Sequence, residues 1–182
     1  QHFQSFPPNE QPAMEYLAGW FRDRGLNAEL IDVSDEPGRS DLVYRIRGTG
    51  GGKTVMFNGH LDIDPTPLNY PGDPWDCREE NGRLVGHGLV NMKAGIAAIS
   101  AATVAIQKAE APLRGDVLMT AVVGELQGGG GAIDLVKRGL IGDCAIVAEP
   151  TDLRVQPQHG SAIQLLIHTV GSSEWIGALH QR

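Results

Sequence analysis

Thr54-Val55-Met56-Phe57-Asn58-Gly59-His60-Leu61-Asp62-Ile63-Asp64 is the stretch on which the fold turns. Its opening residues are apolar or β-prone and predict a buried strand over 54–58, closed by Gly59. His60 and Asp62 follow at i and i+2, so an extended backbone puts both side chains on one face. A neutral imidazole is a good zinc ligand. A carboxylate two residues on can orient that ring or act beside the metal. Taken alone, His-x-Asp reads most simply as a histidine satisfied at a strand end, and its context has to decide.

The context lies downstream. Residues 116–125 form a nearly continuous apolar run, the pattern of a strand covered on both faces, and Glu125 stands at its end. Residues 144–149 predict another buried strand that Glu149 closes and Pro150 terminates. Between these runs lie helical segments, the Ala-rich 96–107 and the shorter 132–138, the latter stopped by Gly139. Strands alternating with helices imply an α/β fold with a mostly parallel sheet. His60, Asp62, Glu125 and Glu149 then gather at one sheet edge, where ligands bind in open α/β sheets. That convergence raises the metal-site reading of His60.

The remaining segments are read around this frame. Residues 1–12, with Pro7, Pro8 and Pro12, form an extended lead-in. Met14, Leu17 and Phe21 recur at helical spacing, with Asn9 as cap and Gly25 as stop. Residues 28–33 and 41–47 read as strands, the second with one wet face. Gly-Thr-Gly-Gly-Gly at 48–52 is a turn; it lacks the Lys-Ser/Thr ending of a phosphate loop. Residues 65–86, with four prolines, form a long irregular loop that could wall the site, pinned by Tyr70 and Trp75. Asn91 sits where the Ala-rich helix begins and suits an N-cap. Residues 161–170 alternate as a further strand.

Composition narrows the classes. A chain of 182 residues with 41% hydrophobic and 20% charged residues is one ordinary globular domain. A net charge of −7, without a basic run, argues against nucleic acid as a partner. No apolar stretch is read as long enough to span a membrane, and no signal peptide is seen. Cys77 and Cys144 read as free thiols in a reducing, cytoplasmic compartment.

Four motifs in order carry a resemblance: Gly59-His60-Leu61-Asp62; Gly86-x-Gly88-x-x-x-Met92-Lys93-x-Gly95; Val123-Gly124-Glu125; and Ala148-Glu149-Pro150-Thr151. They resemble the di-zinc aminoacylase and carboxypeptidase family, which includes acetylornithine deacetylases and succinyl-diaminopimelate desuccinylases. The resemblance implies a three-layer α/β sandwich with a mostly parallel central sheet. It makes residues 1–158 an incomplete catalytic domain, and residues 159–182 the first strand of a lid with a divergent tail. It also implies two zinc ions bridged by an aspartate and a water. On that pattern His60 and Glu149 match ligands of one zinc, Asp62 the acid that orients His60, and Glu125 the general base. A cis peptide after the bridging position, Asn91–Met92, belongs to the same pattern.

The departures are specific. The bridging aspartate is Asn91, a neutral amide and a weak ligand. The acid after Glu125 is Leu126, which has no donor atom. The family's last zinc ligand comes from a longer chain. At most one zinc, or a similar divalent metal, is therefore expected. His87, four residues before Asn91, is a possible substitute ligand. His180 reads as a surface tail residue, and His159 and His168 as structural. Truncation at the start of the lid leaves a sheet edge exposed, so self-association or a completing chain is expected as partner. Two main readings follow, beside a weaker third, a fragment of a longer enzyme, against which Asn91 and Leu126 count as a route to ordinary di-zinc chemistry. The favoured one is a degenerate, non-catalytic protein that binds or self-assembles. The alternative is a single-metal hydrolase of N-acyl amino acids or short peptides.

Overall fold

The structure, a computed structural model, describes residues 9–158 and 160. The chain divides into two compact units, Gln1–Asp152 and Leu153–Arg182. In the second unit the described residues carry no helix or strand. The strand expected over 161–170, and His159, His168 and His180, lie outside the described residues.

The first unit is built on five strands: β1 (Glu29–Asp32), β2 (Ser40–Ile46), β3 (Val55–His60), β6 (Val117–Val122) and β7 (Cys144–Val147). Their order is β1-β2-β6-β3-β7. β2 runs antiparallel to both β1 and β6, whereas β3 is parallel to β6 and β7. Four of these strands thus run one way and β2 alone opposes them. A separate hairpin joins β4 (Arg78–Glu80) to β5 (Arg83–Val85). It replaces part of the loop expected over 65–86. Its turn is Asn81-Gly82, both at positive φ (52° and 73°), the two-residue arrangement whose twist suits a hairpin.

Helices cover both faces. α1 (Gln11–Arg22) and α2 (Ala94–Lys108) lie on one, α3 (Gly130–Lys137) on the other. α1 buries Ala13, Met14, Leu17, Ala18 and Phe21, a stripe at helical spacing. These pack with Leu42, Met119 and Ala121 from the sheet and with Ile96, Ile99 and Val104 from α2. The opposite sheet face sends Val43, Met56, Leu118 and Val122 against Leu135 of α3. The alternation along β6 explains both clusters: every residue in it is buried, with Leu118 and Val122 on one side, Met119 and Ala121 on the other.

Several local expectations are corrected. α1 starts after Glu10, not Asn9. β2 has no wet face along its first half: Ser40, Asp41, Leu42 and Val43 are all buried, because the strand lies between two neighbours and under α1. β7 is exposed throughout, not buried, since it lies at the end of the strand order. Asn91 does not cap α2, whose cap is Lys93; it is extended, at φ −111° and ψ 98°, inside a tight turn over Leu89–Lys93. Leu89–Lys108 is, by length and composition, apolar enough to cross a membrane (mean hydropathy 1.6). In this fold Ile96, Ile99, Ser100, Thr103 and Val104 pack inward from it.

Glycine turn 48–52 docks on the loop before β6. Thr49 and Gly50 donate to the carbonyls of Leu113 and Arg114, and Asp116 accepts from Gly48 N at 2.9 Å. Cys77 and Cys144 are free and exposed.

Candidate active site

His60 ends β3, and the next residues carry the chain out of the sheet. Gly59 is tightly placed: a Cβ there would stand 2.7 Å from Met92 Cε and 2.8 Å from Ile96 Cδ1. The Met92 sulfur accepts the His60 amide at 3.2 Å. The Asn91–Met92 peptide is cis.

The His60 ring is buried, and both of its nitrogens face oxygens. Nδ1 lies 2.9 Å from the Asp62 carbonyl and 3.3 Å from Asp62 Oδ1. Nε2 lies 2.9 Å from Asn91 Oδ1, 3.3 Å from Glu149 Oε1 and 3.7 Å from Glu125 Oε2. Burial alone would depress the imidazole. The Asp62 hydrogen bond and the charges of Asp62, Glu149 and Glu125 outweigh it, and His60 is pushed up to about 9.

Asp62 is completely buried. Besides His60 it holds the next strand's exit: Oδ1 accepts from Glu125 N at 3.2 Å and Oδ2 from Leu126 N at 2.8 Å. Burial would raise this carboxyl, but the His60 contact and the two backbone donors hold it below the usual carboxylate range. Glu125 opens a short 3-10 turn, Glu125–Gln127, and its side chain is about half exposed.

The far side of that turn is held by a pair the sequence reading passed over. Glu10, at the start of α1, forms a buried ion pair with Arg39 and accepts from Gly124 N at 3.2 Å. Arg39 also reaches Glu36 at 2.8 Å and Gln127 Oε1 at 3.3 Å. No periodicity signals this contact, because its partners are 29 and 114 residues apart. Beside it lies Asp41, fully buried, whose Oδ1 accepts from Val123 N at 3.0 Å and whose Oδ2 has no partner. Burial, with the nearby Asp134 charge, pushes Asp41 up to about 7 against the pull of the Val123 amide and of Arg39 and Arg138.

The structure therefore brings His60, Asp62, Asn91, Glu125 and Glu149 together at the carboxyl ends of β3, β6 and β7. His87 is engaged elsewhere: its Nε2 lies 2.8 Å from the Asp64 carbonyl, and Tyr70 and Trp75 flank its ring edge-on at 5.7 and 5.8 Å. Those two aromatics pin the loop through His87. Leu126 brings only its backbone N–H to the site.

As a donor set, His60 Nε2, a Glu149 carboxylate oxygen and the Asn91 amide oxygen suit one zinc-like ion completed by water. They do not suit two, since an amide bridges poorly and Leu126 offers nothing. Among the described residues no group of three or more His, Cys, Asp or Glu forms a metal cluster.

Comparison with known proteins bears on the family and the fold. Residues 56–169 match the profile of peptidase family M20/M25/M40. The chain is 32% identical over 160 residues to N-formyl-4-amino-5-aminomethyl-2-methylpyrimidine deformylase of Bacillus subtilis (strain 168), covering 85% of this chain and 37% of that protein. It is 33% identical over 157 residues to succinyl-diaminopimelate desuccinylase of Methylobacterium sp. (strain 4-46), covering 81% and 39%. Among solved structures it is similar to the M20 family metallo-carboxypeptidase Sso-CP2 of Sulfolobus solfataricus, with a TM-score of 0.67 and 19% identity over 81% of this chain and 34% of that one. The chain thus spans less than half the length of these relatives. From the profile match and the motifs around His60, this chain belongs to peptidase family M20/M25/M40.

Proposed function

We propose that this chain carries the metal-binding part of an amide-bond hydrolase that works with a single divalent ion. Its substrate class is an N-acyl or N-formyl amine, or a short peptide. This is the alternative reading of the sequence, and the relatives favour it over the non-catalytic one. The observation that carries it is the His60 ring, locked by Asp62 on Nδ1 and presenting Nε2 to Glu149 and Glu125.

His60 and Glu149 would hold the ion, with Asn91 Oδ1 as a weak third donor. Bound there, a divalent ion polarises a carbonyl oxygen and makes a bound water acidic near neutral pH. Asp62 keeps the His60 Nδ1 proton in place, which leaves Nε2 as the ligating atom. Glu125, half exposed at the mouth of the site, would take the proton from the attacking water and return it to the leaving nitrogen. Asn91 and Leu126 favour a second reading, in which the site is a relic and the protein acts by binding or assembly.

Metal content and hydrolysis separate the two. The chain is dialysed against zinc, its metal measured by mass spectrometry, and N-formyl and N-acetyl amino acids are offered as substrates. One zinc per chain, lost in His60→Ala, with hydrolysis lost but zinc retained in Glu125→Gln, is the expected result. Absence of bound metal, or two ions per chain, overturns the single-ion proposal. One zinc without turnover selects the binding reading.

A further inference from the structure

Glu125, the proposed base, stands on a turn of only three residues, Glu125–Gln127. Its side chain is 45% exposed, and its carboxylate lies 3.7 Å from His60 Nε2. The turn is entered and left through glycines at positive φ, Gly124 at 69° and Gly128 at 93°. Glycine resists backbone rotation least. What holds this short turn therefore decides where the carboxylate of Glu125 points.

Two anchors hold it. On one side Asp62 accepts the amides of Glu125 and Leu126, at 3.2 and 2.8 Å. Two adjacent bonds to one carboxylate fix an edge, and a body fixed along one edge still pivots about it. The second anchor is Arg39. Its partner in the buried ion pair, Glu10, accepts the Gly124 amide at 3.2 Å. The same guanidinium donates to Gln127 Oε1 at 3.3 Å and to Glu36 at 2.8 Å. Arg39 thus grips the residue before the turn through Glu10, and the last residue of the turn directly. Arg39 and Glu10 are 2% and 0% exposed. A buried ion pair adds little net stability over apolar side chains of the same size, and its best-attested use is to select one arrangement. A planar fork of donors can serve three acceptors at once, which a single ammonium does less well.

We propose that Arg39 is a positioning residue for Glu125, fixing the turn beneath it through Glu10 on Gly124 and through the side chain of Gln127. This rests on the hydrolase reading of the site, in which Glu125 is the base. With both anchors in place the turn cannot pivot on Asp62, and the Glu125 carboxylate keeps its distance from His60 Nε2. A displacement of about 1 Å at a reacting group is enough to cost a large factor in rate.

The test joins steady-state kinetics of the zinc-loaded chain on N-formyl and N-acetyl amino acids to amide hydrogen exchange of the metal-free chain. The variants are Gln127→Ala, Arg39→Lys and the two combined. Gln127 is exposed, so its variant keeps the fold even where Arg39→Lys does not. Gln127→Ala lowers kcat about tenfold, with KM and zinc content unchanged. Arg39→Lys lowers kcat by at least as much, and adding Gln127→Ala to it lowers kcat no further. Exchange quickens in the same non-additive pattern at Gly128 and Gly129, whose amides bond back to Glu125 O at 3.2 Å and Gly124 O at 2.8 Å. A general loss of stability would instead quicken exchange throughout the sheet. Additive losses in kcat overturn the proposal. So does a loss carried by KM or by zinc content, or exchange at Gly128 and Gly129 that neither single variant changes. Zinc binding without turnover in the unaltered chain removes the hydrolase reading, and the exchange cycle then decides by itself whether Arg39 fixes the turn.

Discussion

Asp62 does two jobs with one carboxylate. It fixes the His60 ring through Nδ1 and takes the amides of Glu125 and Leu126. Replacing it with Asn keeps the shape and removes the charge. His60 then titrates lower by about one unit or more, because burial already disfavours its cation and the nearest anion is gone; carbon-detected NMR titration of the ring reads this directly. Asp41 offers the opposite case, an acid that burial holds up at about 7. Between the ordinary carboxylate value and 7 the folded chain keeps a proton that the unfolded chain has lost. Stability from this group therefore falls as pH rises from about 4 to about 7, and the full penalty persists above that. Asp41→Asn keeps an oxygen for the Val123 amide and carries no charge. Urea melts should find the variant more stable than the parent by about 1–3 kcal/mol at pH 8, with the gap closing towards pH 4. Neither effect was legible in sequence. Asp62 could be named as the partner of His60 from its spacing, but its hold on residue 125 is a tertiary contact. Asp41 looked like the start of a half-wet strand.

At the scale of elements, α2 and β7 meet where the site is built. A Cβ on Gly95 would run into the Ala148 carbonyl oxygen, and stand 2.9 Å from Ala148 Cβ. The residue after Ala148 is Glu149. Gly95→Ala must push backbone against backbone, so it should cost about 1–3 kcal/mol in a denaturant melt. Zinc affinity should fall with it, because Glu149 moves while Asp62 still holds His60. The strands and helices around this contact were readable because their apolar periods are strong: β6 as a continuous run, α1 as a stripe. Two signals were present but passed over or misweighed. Asn81-Gly82 marks a hairpin within a stretch read as a loop. The apolar run 144–149 promised a buried strand, yet among the described residues β7 has only β3 beside it, and hydrophobicity alone does not tell an edge from a centre.

At the scale of the molecule, α3, the loop after it and β7 leave Ile133, Val136, Ile141, Ile146 and Val147 at least half exposed. Apolar surface beside a strand edge that no described residue pairs favours association with another chain. Light scattering after gel filtration should find the 182-residue chain in concentration-dependent oligomers, and Ile146→Lys should return it toward the monomer. The gathering of His60, Asp62, Glu125 and Glu149 at one sheet edge was foreseeable from strand ends, since topology delivers them there; Asn91 reaches it from the turn before α2. What they jointly hold was not, because the sequence departs from the family pattern at Asn91 and Leu126. One long-distance tie has a practical meaning. Glu10 sits at the threshold of the first helix yet steadies Gly124, the doorstep of the proposed base. Trimming the amino terminus to residue 11, a change that looks harmless to anyone designing an expression clone, would slacken the turn that carries Glu125 before any residue of the site had been altered.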